Sequence, residues 1–170
     1  MNTEENDTYI LRACLNTIYD VCDEIDAGGT EIEFNGRKIT LRKLFEIETT
    51  AYLLYLTASD KNISEEEIAF VNDLMSRTYY MEKCVKFINQ THMLEGDFGS
   101  TTPLSTKILS EYTREHGNDI SEKLVKLYDG LGLALMNADK TFAQPEQQAH
   151  RDYIRLLRGY LELSAPEEEE

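Results

Sequence analysis

Apolar residues recur at intervals of three and four along most of this chain. The intervals break at a few points rich in glycine, proline and acidic residues. Leu11, Cys14, Leu15, Ile18, Val21, Cys22 and Ile25 make the first stripe, which predicts a helix from Asp7 or Thr8 to Asp26 with one buried face. Gly28-Gly29 stops it, since glycine adopts the left-handed conformation that helix ends use. The period then shortens to two. Glu31 to Phe34 and Arg37 to Thr40 flank Asn35-Gly36, the pair a tight type I′ hairpin prefers. A lone hairpin is marginal in water, so this one must lean on helices, with Ile32, Phe34 and Ile39 against the core.

Helical spacing resumes after Thr40, a capping residue. Leu44, Phe45, Ala51, Tyr52, Tyr55 and Leu56 follow it, and Leu53-Leu54 adds apolar residues on the flanks. A helix from Leu41 to about Ser59 that is apolar over so wide an arc is central, contacted from several sides. Ser64 and Glu67 then form a capping box, with Ile63 and Ile68 as its hydrophobic staple. They open a helix to about Arg77. Thr78-Tyr79-Tyr80 is a joint before a shorter helix carrying Cys84, Val85, Phe87 and Ile88. Residues 96–102 are rich in turn formers. Thr102-Pro103 restarts the chain, a capping hydroxyl before proline at the first helical position, and Gly117-Asn118 closes that helix. A last pair of helices runs from Ser121 to Asp139 and from Pro145 to Leu161. Ala165-Pro166 and the glutamates after them, within residues 164–170, predict a disordered acidic tail.

One pattern occurs twice. Leu56 to Asp60 lies over Leu135 to Asp139 at a constant offset of 79 residues. In each copy an apolar-periodic helix runs into Asp-Lys, a short polar link follows, and an acidic turn opens the next helix. The prediction is an all-α fold of about seven helices in two repeated helical hairpins, with one small β-hairpin near residues 31–40. It is a single domain over residues 1–163, with pseudo-repeats centred on 56–67 and 135–146.

Charge narrows the partners. The formal net charge is −15; the terminal run Glu167 to Glu170 supplies four of those charges, which leaves about −11 on the body. Such a field repels nucleic acid and anionic lipid and favours basic partners. Three cysteines without a CxxC spacing argue against a disulfide framework and point to a reducing compartment. The polar, acidic N-terminus is unlike a secretory signal. No apolar run reaches the roughly 18 residues of a membrane helix. The expectation is a cytoplasmic protein that inserts in no membrane.

Catalytic patterns are missing. There is no phosphate-binding GxxxxGK[S/T], and Gly130-Leu131-Gly132 lies inside a helical pattern, where glycine lets helices approach. His92, His116 and His150 are scattered, and with the cysteines they lack zinc-ligand spacing. No nucleophile–base set assembles from the sequence. The pair of bends is the one candidate metal site: Asp60 and Glu67 in the first copy, Asp139 and Glu146 in the second, oxygen ligands of the kind hard cations take. The twelve-residue calcium loop fails, with Glu65 where glycine belongs and Val71 at its end. Capping explains these acids without a metal, since Asp at a bend accepts backbone amides and Glu67 completes the box.

The stretch Ala58-Ser59-Asp60-Lys61-Asn62-Ile63-Ser64-Glu65-Glu66-Glu67 resembles the A-x-D-G-x-I/V-S/T-x-x-E signature of TerB-like domains, found in tellurite-resistance TerB proteins and at the N-terminus of the co-chaperone DjlA. Lys61 and Lys140 replace the glycine common there. Together with Thr102 to Leu109 and Leu131 to Asp139, the stretch is similar to a TerB-like helical module of Gram-positive bacteria that sits ahead of AAA-type ATPases. The resemblance spans about residues 41–163. It implies an all-helical bacterial module without catalysis, tied to stress response, metal-ion binding or coupling to an ATPase. Composition and resemblance together predict a non-enzymatic acidic adaptor that binds a protein partner, an AAA-type ATPase or a basic protein. Two alternatives stay open: a metal-responsive TerB-like protein using a divalent cation at Asp60, Glu67, Asp139 and Glu146, and an acidic inhibitor or immunity protein that occludes a nucleic-acid-binding site. No other cofactor is expected.

Overall fold

A computed structural model describes residues 3–29, 31–34, 36–59, 63–75, 81–91, 101–139 and 143–163, without the side chains of residues 3–7, 34, 81, 88, 90, 91 and 139. The described residues form seven helices and one two-stranded antiparallel sheet, the all-α architecture with a small hairpin that the periodicity predicts.

Helix α1 (Thr3–Ala27) buries Leu11, Leu15, Ile18, Cys22 and Ile25, one stripe at alternating steps of four and three. It starts before the expected Asp7 or Thr8. Residues 3–7 hold no apolar periodicity, so the spacing of apolar residues does not reach this first stretch of the helix. At its other end Gly29 takes φ +84°, and the amides of Gly28 and Gly29 bond back to Ile25 and Asp26. Strands β1 (Ile32–Phe34) and β2 (Arg37–Ile39) pair Ile32 with Ile39, Glu33 with Lys38 and Phe34 with Arg37. Ile32 is buried and Ile39 packs against the same core, so the hairpin leans on helices as expected.

Two helices carry the core. Helix α2 (Leu41–Ala58) touches α1, α3, α4, α5, α6 and α7, which is why its apolar arc is so wide. Its start is held twice: Thr40 Oγ1 accepts the Lys43 amide at 3.2 Å, and the Asp26 carboxylate accepts the amides of Leu41 and Arg42 at 2.8 and 3.2 Å. Helix α6 (Ser121–Asp139) is the second hub, against α1, α2, α3, α5 and α7. Helices α3 (Glu65–Met75) and α7 (Gln144–Tyr160) each follow a hub helix across a bend and pack back on it. Phe45, Tyr52, Leu53, Leu56, Leu124, Tyr128, Leu131 and Leu135 are all fully buried between the hubs and their neighbours, each contributing about 1.5–3 kcal/mol where the side chain is aliphatic or Phe.

Helix α4 (Met81–Thr91) covers α2 over a smaller cluster of Ala51, Leu54, Ala58, Ile68 and Cys84. Helix α5 (Leu104–Glu115) lies between α2 and α6. Its cap differs from the expected one. Pro103 occupies the N-cap and no side chain there caps the helix. Glu48 of α2 does so instead, its carboxylate accepting the amides of Leu104 at 2.8 Å and Ser105 at 2.7 Å. Its two oxygens satisfy two of the orphan donors at the start of the helix. No helix among the described residues is long and apolar enough to cross a membrane. The expected joint at 78–80, the turn-rich stretch 96–100 and the tail from Ser164 lie outside the described residues.

Candidate functional site

Of the predicted ligand set, the described residues include the side chains of Glu67 and Glu146 alone. Glu67 is fully buried in the first turn of α3, and its Oε1 accepts the Ser64 amide at 3.2 Å and the Ser64 hydroxyl at 3.0 Å. In return Ser64 Oγ accepts the Glu67 amide at 3.1 Å. This is the reciprocal capping box that the local code predicts, with Ile63 and Ile68 in the adjoining apolar cluster. Glu146 is likewise fully buried in the first turn of α7, behind Ala143, which makes no capping bond. Asp60 and the Asp139 side chain lie outside the described residues. Among the described residues no three His, Cys, Asp or Glu side chains come together as metal ligands.

A polar constellation that the sequence does not reveal lies between α2, α6 and α7. The Tyr52 hydroxyl is 2.7 Å from His150 Nδ1, and His150 Nε2 is 2.9 Å from Asp129 Oδ1. A carboxylate only accepts, so Nε2 carries the hydrogen toward Asp129, and in the tautomer with Nδ1 unprotonated the Tyr52 hydroxyl donates to its lone pair. Tyr52 is wholly buried, stacks on Tyr153 at 4.7 Å and meets Tyr128 edge-on at 4.9 Å. Burial first, then the proximity of Tyr128 and Asp129, pushes the Tyr52 phenol well above its ordinary range. Burial does the same to Tyr128 and Tyr153.

Asp, His and hydroxyl in series are the parts of a nucleophilic triad. Here the hydroxyl end is sealed in the core and the carboxylate end, Asp129, is half exposed. None of the three clefts below is lined by any of the three residues. The chain therefore ties three helices together and offers no hydroxyl to a substrate. Gly132 makes room for it: a Cβ there would sit 2.2 Å from His150 Nδ1. The sequence places this glycine at a close approach, but the approaching group is the His150 ring instead of a helix backbone. His116 stays apart, on the Tyr112 carbonyl at 2.8 Å, and His92 lies outside the described residues.

Three depressions among the described residues are well defined. One of about 720 Å³ lies between α1, α2 and α3, with Arg12, Tyr19, Arg42 and Asn72 on its walls and Leu15 and Met75 in its lining. A smaller apolar one, about 130 Å³, lies between α2 and α4 beside Leu54, Cys84 and Phe87. A shallow one is lined by Thr101, Lys107, Arg155 and Tyr160. The cysteines are all free thiols. Cys22 is pushed up to about 12 by burial and by Asp26 and Asp23, which makes it inert.

Acidic groups dominate the end of α1. Asp20, Asp23 and Glu24 are exposed, and no basic residue stands in the last turn, where negative charge opposes the helix dipole. Asp23 is offset by Arg42 at 2.7 Å, and Asp26 is used as the cap of α2. Asp20 and Glu24 form no ion pair among the described residues. The adjoining hairpin is charge-balanced, with Glu31 and Glu33 set against Arg37 and Lys38 and Lys38 donating to Glu31 at 3.0 Å.

No protein-family model, curated protein or solved structure matches this chain.

Proposed function

We propose that this protein is a non-enzymatic, acidic helical adaptor that docks a basic protein surface. The carrying observation is the acidic end of α1, with Asp20 and Glu24 exposed there. Glu24 stands in the last turn of α1, where a negative charge costs about 0.3–1 kcal/mol of helix stability, Asp20 lies one turn before it, and neither forms an ion pair among the described residues. A binding role accounts for such charges. The net charge of −15 supports the same reading, because it steers a basic partner and repels nucleic acid. The buried, cap-bound Glu67 weighs against the metal-responsive alternative. The sealed Tyr52 hydroxyl is in keeping with a protein that does no chemistry. The likeness of residues 58–67 to TerB-like signatures adds an ATPase or one of its clients as the kind of partner to expect in a bacterial cytoplasm.

Affinity capture from native cytosol at low and at high salt tests this. One basic protein or ATPase should be recovered in stoichiometric amount and released by salt, since charge steering is screened within about 10 Å at 0.1 M. An empty capture at both salt concentrations would sink the reading.

A further inference from the structure

The cleft of about 720 Å³ between α1, α2 and α3 stands out from the acidic surface around it because its walls carry two arginines. Arg12, Leu15, Asn16 and Tyr19 follow one another at helical spacing along α1 and make one wall. Arg42 and Glu46 of α2 and Asn72 to Met75 of α3 make the others. Leu15, Leu74 and Met75 are buried apolar residues of this lining. Arg12 holds the end of α3, its Nη2 donating to the Asp73 carbonyl at 3.0 Å and the Asp73 carboxylate at 2.9 Å. Arg42 donates from Nη1 to Asp23 and lies over the Tyr19 ring, 4.6 Å from its centroid.

Both guanidinium side chains are about half exposed, 47% and 49%. A guanidinium has five N–H groups, and among the described residues each arginine commits only one nitrogen. Arg42 lies over Tyr19, seven residues or roughly 10 Å of helix rise beyond Arg12. Arginine takes carboxylates as a planar fork, and exposed ion pairs such as these hold their own partners weakly.

The same walls limit what can enter. Glu46 is mostly buried in the lining, paired with Lys43 at 3.7 Å, and Asp73 stays beside Arg12. A dense polyanion meets those carboxylates and the negative field of the whole chain. A ligand with one carboxylate at each end and an apolar middle meets two forks and the apolar lining. The volume lies within the roughly 300–1,000 Å³ of small-molecule sites. We infer that the cleft between α1, α2 and α3 binds an elongated dicarboxylate, with one carboxylate on Arg12 and the other on Arg42. The ligand is either a small dicarboxylic acid or two acidic side chains about two helical turns apart on a peptide. The inference is independent of the adaptor reading, because Asp20 and Glu24 do not line the cleft.

The test uses the isotope-labelled full chain, titrated with suberate and, separately, with a helical peptide carrying two glutamates seven residues apart. Saturable amide shifts are expected at Arg12, Asn16, Tyr19 and Arg42. Octanoate, with one carboxylate, and succinate, too short to span, should bind about tenfold more weakly or worse, as should Arg42→Met. Asn16→Asp, an exposed change that adds a negative charge without touching the core, should have the same effect in a fully folded protein. Tighter binding of suberate than of the peptide assigns a small metabolite, and the reverse order assigns a peptide; either supports the site. No saturable shift with either probe overturns it. So do shifts that Asn16→Asp and Arg42→Met leave unchanged.

Discussion

Replacing Gly132 by alanine should cost far more than a methyl group in a helix normally does. The new Cβ would fall 2.2 Å from His150 Nδ1, 2.4 Å from its Cε1 and 3.0 Å from the Tyr52 hydroxyl, so the imidazole must leave its place. Its departure breaks both bonds of the chain and strands the Tyr52 hydroxyl in the core, at about 1–3 kcal/mol. Forcing the ring into a packed interior adds about 1–3 kcal/mol, and the better helix propensity of alanine returns about 1 kcal/mol. The net loss is about 1–5 kcal/mol, a fall of about 2–20 °C in Tm for a chain of this length. Urea unfolding followed by circular dichroism reads it. Gly159→Ala in α7 is the internal control, because a Cβ there meets nothing within 4 Å; it should stabilise by about 0.4–1 kcal/mol. Equal stability of Gly132→Ala and the parent protein would refute the reasoning, since the ring would then have another place to go.

Other expectations follow from the same contacts. The Glu48 carboxyl is raised by burial against the pull of the Ser105 and Leu104 amides. Its folded state therefore holds the proton more tightly, so the associated stability is full below the ordinary value of 4.5 and is lost as pH rises through the higher folded value. The advantage of the parent over Glu48→Gln should shrink between pH 4 and pH 7 in urea titrations; an advantage that widens contradicts this. Ser64→Ala should cost about 1 kcal/mol through the lost cap, and calcium should leave the Tm of the parent unchanged. A calcium-dependent rise abolished by Asp60→Asn would revive the metal reading. With a disulfide thiol reagent at pH 8, partly buried Cys14 should react before the buried Cys22 and Cys84, because burial raises all three thiols and only access separates them. Simultaneous reaction of all three would contradict the packing of α1 and α4.

What was legible in the chain was local. The α1 stripe, the Asn35-Gly36 hairpin and the Ser64–Glu67 box each draw on residues within one or two turns, so spacing alone predicts them. The width of the α2 apolar arc even predicts that this helix is a hub. Errors came where a distant group intervened. Thr102 has the chemistry of a cap, yet Glu48, 56 residues away from Leu104 in sequence, takes that role. His150 looks isolated because its partners Tyr52 and Asp129 lie 98 and 21 residues off, and no periodicity encodes such a meeting. Gly132 was the available signal, a glycine inside a helix pattern, though it does not say which group it admits. The cleft with Arg12 and Arg42 is equally hidden, because it exists only where three helices converge.

The adaptor claim rests on charge at one end of α1, and one comparison tests it most directly. The partner recovered from cytosol is titrated by calorimetry against the parent and against the double variant Asp20→Lys, Glu24→Lys at low and moderate salt. Lysine near a helix C-terminus is favoured by the dipole and by propensity, so the variant should be at least as stable as the parent and any loss belongs to binding. The account predicts affinity about tenfold weaker or worse in the variant and a much flatter salt dependence. Unchanged affinity with unchanged salt dependence would contradict it, and would place the docking surface elsewhere on the protein.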